Sequence, residues 1–329
     1  MTQGHGKLVS PVRLGIVGLG RFGAVHARTA ARIAEADLVA LVDHDEGRLS
    51  AWPESPRARR WTNLEQAVDA SDAEAWIVAA STEAHVPLAR TLLAAGKTVL
   101  IEKPLASDAA LAESLRPWVR PDSANVMLGH VALFNSEFRA LCDASRRRGP
   151  IVYIDCVRHR PAATLDAFPG EDPFHLTMVH DLYLLFAWMD GEEPTRLTGH
   201  VHRTDDGRID LAFARLEWRE GTVATLCASF LTPTGMASDG FDRMEVFGRG
   251  WAARITPNPR PFEFFGDRAE WPMGLEIALE NESATGMLAE LQRAFCRVAR
   301  GVQPVPRGAT YDDGLRMLRW MEQLAEPDG

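Results

Sequence analysis

The 329-residue sequence predicts an α/β fold in two parts: a helix-wrapped parallel sheet, then an α+β domain on a mostly antiparallel open sheet. Three observations carry this expectation. Short apolar runs alternate with helical stretches as far as Leu128, the spacing of right-handed βαβ units. After Gly149-Pro150 the apolar pattern lengthens and alternates, as in strands with one face on a core. Two amphipathic helices close the chain, the first marked by Leu288, Leu291, Phe295 and Val298 on one face and the second spanning about Asp312 to Leu324.

The first strand is the apolar run Leu14–Val17, which leads directly into Gly18-Leu19-Gly20-Arg21-Phe22-Gly23 and then a helix expected over Ala24–Glu35. This is G-x-G-x-x-G in a strand–loop–helix setting. Gly18 permits the tight turn, Gly20 lets backbone approach a pyrophosphate, and Gly23 lets helix and strand pack closely. The free N–H groups of the helix start favour phosphate. The second strand, Asp37–Val42, ends at Asp43, twenty residues beyond Gly23, where a carboxylate grips a pair of ribose hydroxyls. Such a carboxylate repels a 2′-phosphate, so NAD is favoured over NADP, although Arg48 is near.

A polar segment, Trp52–Arg60, and a short helix, Leu64–Ala70, come next. The third strand is Ala75–Ala80, with Ser81 and Thr82 as helix caps, a helix over Val86–Ala95 and Gly96 as its stop. The fourth strand, Thr98–Ile101, runs into Glu102-Lys103-Pro104; a helix over Asp108–Val119 and a strand over Asn125–Leu128 end at Gly129-His130. Ligands of such sheets lie beyond the carboxyl ends of the strands, where Gly18–Gly23, Asp43, Ser81, Lys103 and His130 all fall. In the second half, strands are expected over Ile151–Arg160, Arg196–Arg203, Ile209–Arg219, Thr222–Leu231 and Phe241–Phe247, with a hairpin at Glu220-Gly221 and an apolar segment over Phe174–Met189.

A net charge of −9 argues against a nucleic-acid partner, and the basic run Arg146-Arg147-Arg148 reads as a solvated helix end. The four cysteines form no C-x-x-C, and His200 and His202 have no third ligand in sequence, so no metal site is expected. The first ten residues lack the apolar core of a signal peptide, and no apolar run is long enough to span a membrane. A cytoplasmic protein is the expectation.

With these motifs in order, the sequence resembles the glucose–fructose oxidoreductase / inositol dehydrogenase (Gfo/Idh/MocA) family. The resemblance rests on G-L-G-R-F-G at 18–23, E-K-P at 102–104, G-H-V-A-L-F-N at 129–135, M-V-H-D-L at 178–182 and D-G-L-R at 313–316. It implies a Rossmann domain over residues 1–129 and a C-terminal α+β substrate and oligomerisation domain over 130–329, with the final helices packing back on the first. It implies NAD(P)-dependent hydride transfer at a hydroxyl or carbonyl of a sugar, cyclitol or nucleotide-linked sugar, and a homodimer or homotetramer formed through the C-terminal sheet. Lys103 and His180 are the implied catalytic pair, since hydride transfer from an alcohol needs a group for the hydroxyl proton. Gly18, Leu19, Gly20, Arg21, Phe22, Gly23, Asp43, Ser81, Thr82, His85, Glu102 and Lys103 are set beside the cofactor. His130, Asn135, His175 and Tyr183 are candidates for substrate contact.

The sequence departs from the family's pattern beside His180. Leu176 and Tyr183 stand where many relatives carry aspartates, and Leu133 stands where some carry an arginine. A carboxylate would orient the imidazole; leucine does not, and His175 and Tyr183 are the candidate substitutes, Tyr183 as a hydrogen-bond donor. Asp181 is adjacent but on a different helical face. Two alternatives therefore remain: a cofactor-binding regulatory or scaffold protein with lost or altered catalysis, and reduction of a non-sugar such as an imine or a tetrapyrrole.

Overall fold

β1 (Val12–Val17) lies inside a six-stranded parallel sheet in the computed structural model, which describes residues 10–52, 57–233, 241–256, 264–265, 269–270 and 283–326. The leader reading over residues 1–9 and part of the segment Trp52–Arg60 lie outside the described residues. α1 (Arg21–Ala30), β2 (Ala36–Val42), α2 (Glu46–Ala51), β3 (Arg59–Trp61), α3 (Leu64–Ala70), β4 (Ala75–Val78), α4 (Thr82–Ala94), β5 (Thr98–Ile101), α5 (Ala109–Glu113) and β6 (Val126–Leu128) complete the first half. The strand order is β3-β2-β1-β4-β5-β6, all parallel. It reverses between β1 and β4, so the crevice beyond their carboxyl ends receives both Gly18 and Ser81.

Three helix boundaries differ from expectation for local reasons. α1 begins at Arg21, directly after Gly20, which caps it without a side chain. α4 begins at Thr82 behind Ser81 as N-cap. The helix expected over Asp108–Val119 stops at Glu113 and resumes as a single 3₁₀ turn over Arg116–Trp118, because Pro117 has no N–H to continue an α-helix.

In the second half, α6 (Ser136–Arg146) leads to β7 (Ile151–Pro161), the single turn α7 (Thr164–Ala167) and a π-helical turn over Phe174–Met178 that runs into α8 (Val179–Trp188). β8 (Arg196–Arg203), β9 (Ile209–Glu217), β10 (Val223–Thr232), β11 (Phe241–Gly248) and β12 (Trp251–Ile255) build the second sheet with β7. Its order is β12-β11-β7-β10-β9-β8, antiparallel except for the parallel pair β7/β10. Gly221, at φ 89°, sits in the β9–β10 hairpin. Ile154, Cys156, Ala212, Ala214, Leu226, Met244 and Val246 fill the inner face, while Phe213, Leu231 and Phe247 stand exposed on the strands.

α9 (Met287–Ala299) and α10 (Tyr311–Ala325) return to the first sheet. α10 is seated by two close approaches: a Cβ at Gly199 in β8 would meet Leu324 O at 2.0 Å, and one at Gly314 would meet Leu128 Cδ1 at 2.0 Å. Asp313 closes a capping box with Thr310, so the D-G-L-R motif is a helix start and a contact point. No helix among the described residues is long and apolar enough to cross a membrane.

Candidate active site

The glycine loop is shaped by backbone contact. Gly18 has φ 91°, and a Cβ there would lie 2.6 Å from Ala79 O; a Cβ at Gly23 would lie 1.8 Å from Gly18 O. Gly20 is different: its nearest neighbour would be Arg48 Nη1 at 3.9 Å, so the space beside it is open. That cradle, together with an α1 start capped by no side chain, fits a pyrophosphate. Leu19 and Gly23 are buried, while Arg21 is exposed.

Asp43 is buried, and its carboxylate accepts the Leu19 N–H at 2.6 Å and the Asp45 N–H at 2.9 Å, with Arg48 Nη1 at 3.5 Å. Burial by itself raises its pKa; the two N–H groups and the Arg48 charge outweigh that and hold it below the usual carboxylate value. An ionised acceptor therefore sits at the end of β2, beside the loop. These groups fit NAD: the loop and helix start for the phosphates, Asp43 for the adenosine ribose.

The E-K-P segment is braced from behind. Glu102 accepts from His26 Nε2 at 2.8 Å and from the Lys103 N–H at 3.1 Å, and Gly129 leaves its carboxylate room. Gln292 of α9 donates to His26 Nδ1 and to His26 O, both at 3.0 Å. This fixes His26 as donor to Glu102 and ties the brace to α9. Glu102, proposed from the sequence as a cofactor contact, is thus a buried support for the Lys103 turn. His85 is buried beside the same turn, with its ring nitrogens 2.8 Å from Pro104 O and 3.2 Å from Ala80 O; a neutral imidazole donates to one of these carbonyls. The Lys103–Pro104 peptide is cis.

Lys103 Nζ reaches across to the π-helical turn and donates to Leu176 O at 3.0 Å and His175 O at 3.4 Å. Burial pushes its pKa down, with Glu171 and Glu102 opposing the shift. The same turn holds two imidazoles in different settings. His175 Nδ1 lies 2.9 Å from Asp172 Oδ1, and that pairing overcomes burial to raise its pKa. His180 Nδ1 lies 2.6 Å from the Tyr183 hydroxyl, which also accepts the Ala132 N–H at 3.1 Å. Burial, then the charges of Lys103 and Arg158, push His180 well below the ordinary imidazole value.

Tyr183 is fully buried with its hydroxyl between His180 Nδ1 and the Ala132 N–H, the hydrogen-bonding place beside His180 that the sequence reading offered it along with substrate contact. His130 stacks on it at 4.1 Å between ring centroids and pairs through Nδ1 with Gly308 O. Burial lowers its pKa to about 4. Asn135 Oδ1 accepts the Phe138 N–H at 2.8 Å as N-cap of α6, which gives the residue a structural task that the sequence reading missed. Ser81 and Thr82 lie at the α4 start, and Thr82 Oγ1 donates to Glu171 at 3.0 Å, joining the two halves across the cleft.

Several residues escaped the sequence reading. Arg158 of β7 donates to Asp181 at 2.7 and 2.9 Å and to Asp242 at 3.1 Å, all buried. That ion pair takes Asp181 away from His180. Asp172, Glu171, His26 and Gln292 were also missed; only Asp172, three residues before His175 at a helix start, had a local signal. Among the described residues no group of His, Cys, Asp and Glu is placed to hold a metal, and His202 instead pairs with Asp210 at 2.6 Å.

Comparison with known proteins bears on the family and the fold. The model of the GFO_IDH_MocA oxidoreductase family, NAD-binding Rossmann fold, matches residues 12–130. An inositol 2-dehydrogenase of Leifsonia xyli is 34% identical over 201 residues, covering 59% of this chain and 58% of that protein. Inositol 2-dehydrogenase 2 of Paenarthrobacter aurescens is 30% identical over 230 residues, covering 66% and 68%. The match to the first of these spans less than two thirds of that protein's length. A scyllo-inositol dehydrogenase of Lactobacillus casei, solved with bound NAD(H) and scyllo-inositol, superposes with a TM-score of 0.77 at 21% identity, covering 95% of this chain and 96% of the other; at that identity the likeness is one of fold.

Proposed function

The chain belongs to the Gfo/Idh/MocA family of oxidoreductases, and from that premise we propose that it is an NAD-dependent dehydrogenase of a cyclitol, sugar or nucleotide-linked sugar. The observation that carries the reading is the convergence of a phosphate cradle, an ionised Asp43 and a desolvated Lys103 on the carboxyl edge of one parallel sheet. Residues 1–129 hold the cofactor, and residues 130–329 supply the remaining proton-handling groups and an assembly face. Bound NAD would accept or return the hydride. Asp43 accepts the ribose hydroxyls, which favours NAD over NADP. Lys103 and His180 manage the hydroxyl proton, and His175 with Asp172 borders them. Exposed Phe213, Leu231 and Phe247 on the second sheet favour association of two or four copies through that face. The paired, oriented His180 gives the scaffold alternative no support.

Thermal unfolding with NADH and with NADPH, for the wild type and Asp43→Ala, tests the cofactor reading. A ligand at a hundred times its Kd stabilises by about 2.7 kcal/mol. An NADH-selective shift that Asp43→Ala abolishes is expected, followed by NADH production on a panel of inositols and sugars. No shift with either nucleotide overturns the proposal.

A further inference from the structure

His180 has two nitrogens in unequal surroundings. Nδ1 is 2.6 Å from the Tyr183 hydroxyl, while Nε2 makes no hydrogen bond among the described residues. Tyr183 has one hydroxyl proton, and burial keeps it there by raising the phenol's pKa. Its oxygen already accepts from the Ala132 N–H, so the proton must find an acceptor elsewhere. His180 Nδ1 is that acceptor. A proton on Nδ1 would set two donors against each other and leave a buried hydroxyl without an acceptor. Neither nearby carboxylate competes: Asp181 is held by Arg158 and Asp172 by His175. The Leu176 side chain supplies no acceptor, and its carbonyl already accepts from Lys103.

We propose that Tyr183 fixes His180 as its Nε2–H tautomer, so that His180 donates a hydrogen bond to the reacting oxygen and Lys103 alone takes the hydroxyl proton. The inference rests on the dehydrogenase reading above and assigns the roles within it. Lys103 is arranged for this. Its Nζ is anchored by donation to the carbonyls of His175 and Leu176, so that once deprotonated it keeps its lone pair for the remaining direction. In oxidation the substrate O–H bond breaks and its proton joins that lone pair, giving the ammonium. Bound oxidised NAD would take the hydride with its electron pair as the carbon–oxygen bond becomes a carbonyl. The His180 Nε2–H bond stays intact and stabilises negative charge developing on the oxygen. Tyr183 is a positioning residue, acting only through the ring.

The deciding measurement is the ¹⁵N NMR spectrum of the His180 ring in the cofactor-free protein at neutral pH, assigned by its loss in His180→Gln. An unprotonated, pyridine-type Nδ1 that shifts in Tyr183→Phe is expected; a pyrrole-type Nδ1 overturns the proposal. Kinetics supply the second arm. His180→Gln, whose amide N–H replaces the Nε2–H only in part, should lose about tenfold in kcat but keep the wild-type pH profile. Lys103→Met should lose about 10³-fold and the rising alkaline limb with it. A limb that vanishes in His180→Gln or in His175→Gln but survives in Lys103→Met overturns the assignment. A wild type that oxidises no member of the panel counts against the dehydrogenase reading, while the ring spectrum still decides the tautomer.

Discussion

The loop Gly18–Gly23 and the segment Phe174–Tyr183 border the candidate site with opposite materials. The loop offers backbone, shaped by contacts that forbid a Cβ at Gly18 and Gly23. The segment offers side chains whose protons are placed by other side chains: Asp172 on His175, Tyr183 on His180. Backbone sites tolerate little change of size but much change of charge. Sites made of paired side chains behave the other way, because one lost partner strands the other. The difference predicts how each region fails.

The largest effect is expected at Lys103. Lys103→Met should reduce turnover about 10³-fold, roughly 4 kcal/mol, while NADH affinity stays within about twofold, as stopped-flow and fluorescence titration would read. Equal losses in binding and turnover would erase the distinction between the two regions. Next come the glycines. Gly23→Ala drives a methyl onto Gly18 O and should cost roughly 3 kcal/mol in urea unfolding. Gly20→Ala meets open space, so stability should hold within about 0.5 kcal/mol while NADH binding weakens about tenfold. Similar stability losses in both would mean that Gly20 serves packing rather than a ligand.

A pH effect of comparable size is expected from His130, whose pKa falls from 6.5 to about 4. Between those values the unfolded chain binds a proton that the folded chain refuses, so stability rises with pH there. It is fully present above pH 6.5 and is lost as pH falls toward 4, by about 3 kcal/mol. Urea midpoints from pH 4.5 to 7 should show the slope in wild type and a shallower one in His130→Asn. The smallest effect is expected behind the site. Gln292→Leu removes the donor to His26 and should cost about 1–2 kcal/mol, with a modest fall in kcat as the Glu102 brace loosens. Unchanged kcat with unchanged stability would separate α9 from the E-K-P turn.

The sequence made some regions plain because their signals are local. Glycine spacing, the Asp43 offset and strand lengths at Thr98–Ile101 and Arg196–Arg203 need only neighbouring residues to be read. Helix ends were less legible, since Pro117 and Gly20 acted within a few residues of the expected limits. Asn135 and His85 were less legible, because a polar residue near a strand end looks the same whether it faces a ligand or satisfies a cap or a carbonyl.

By itself the sequence determined the two-part fold, the family and the glycine loop, because periodicity and glycine geometry are properties of short stretches. Only the tertiary structure decided who holds His180. Tyr183 meets it within one helical turn, yet the direction of their hydrogen bond depends on Ala132, fifty-one residues earlier. The exclusion of Asp181 depends on Arg158 in a distant strand. Proton placement follows from donors and acceptors brought together by folding, and no spacing along the chain records that.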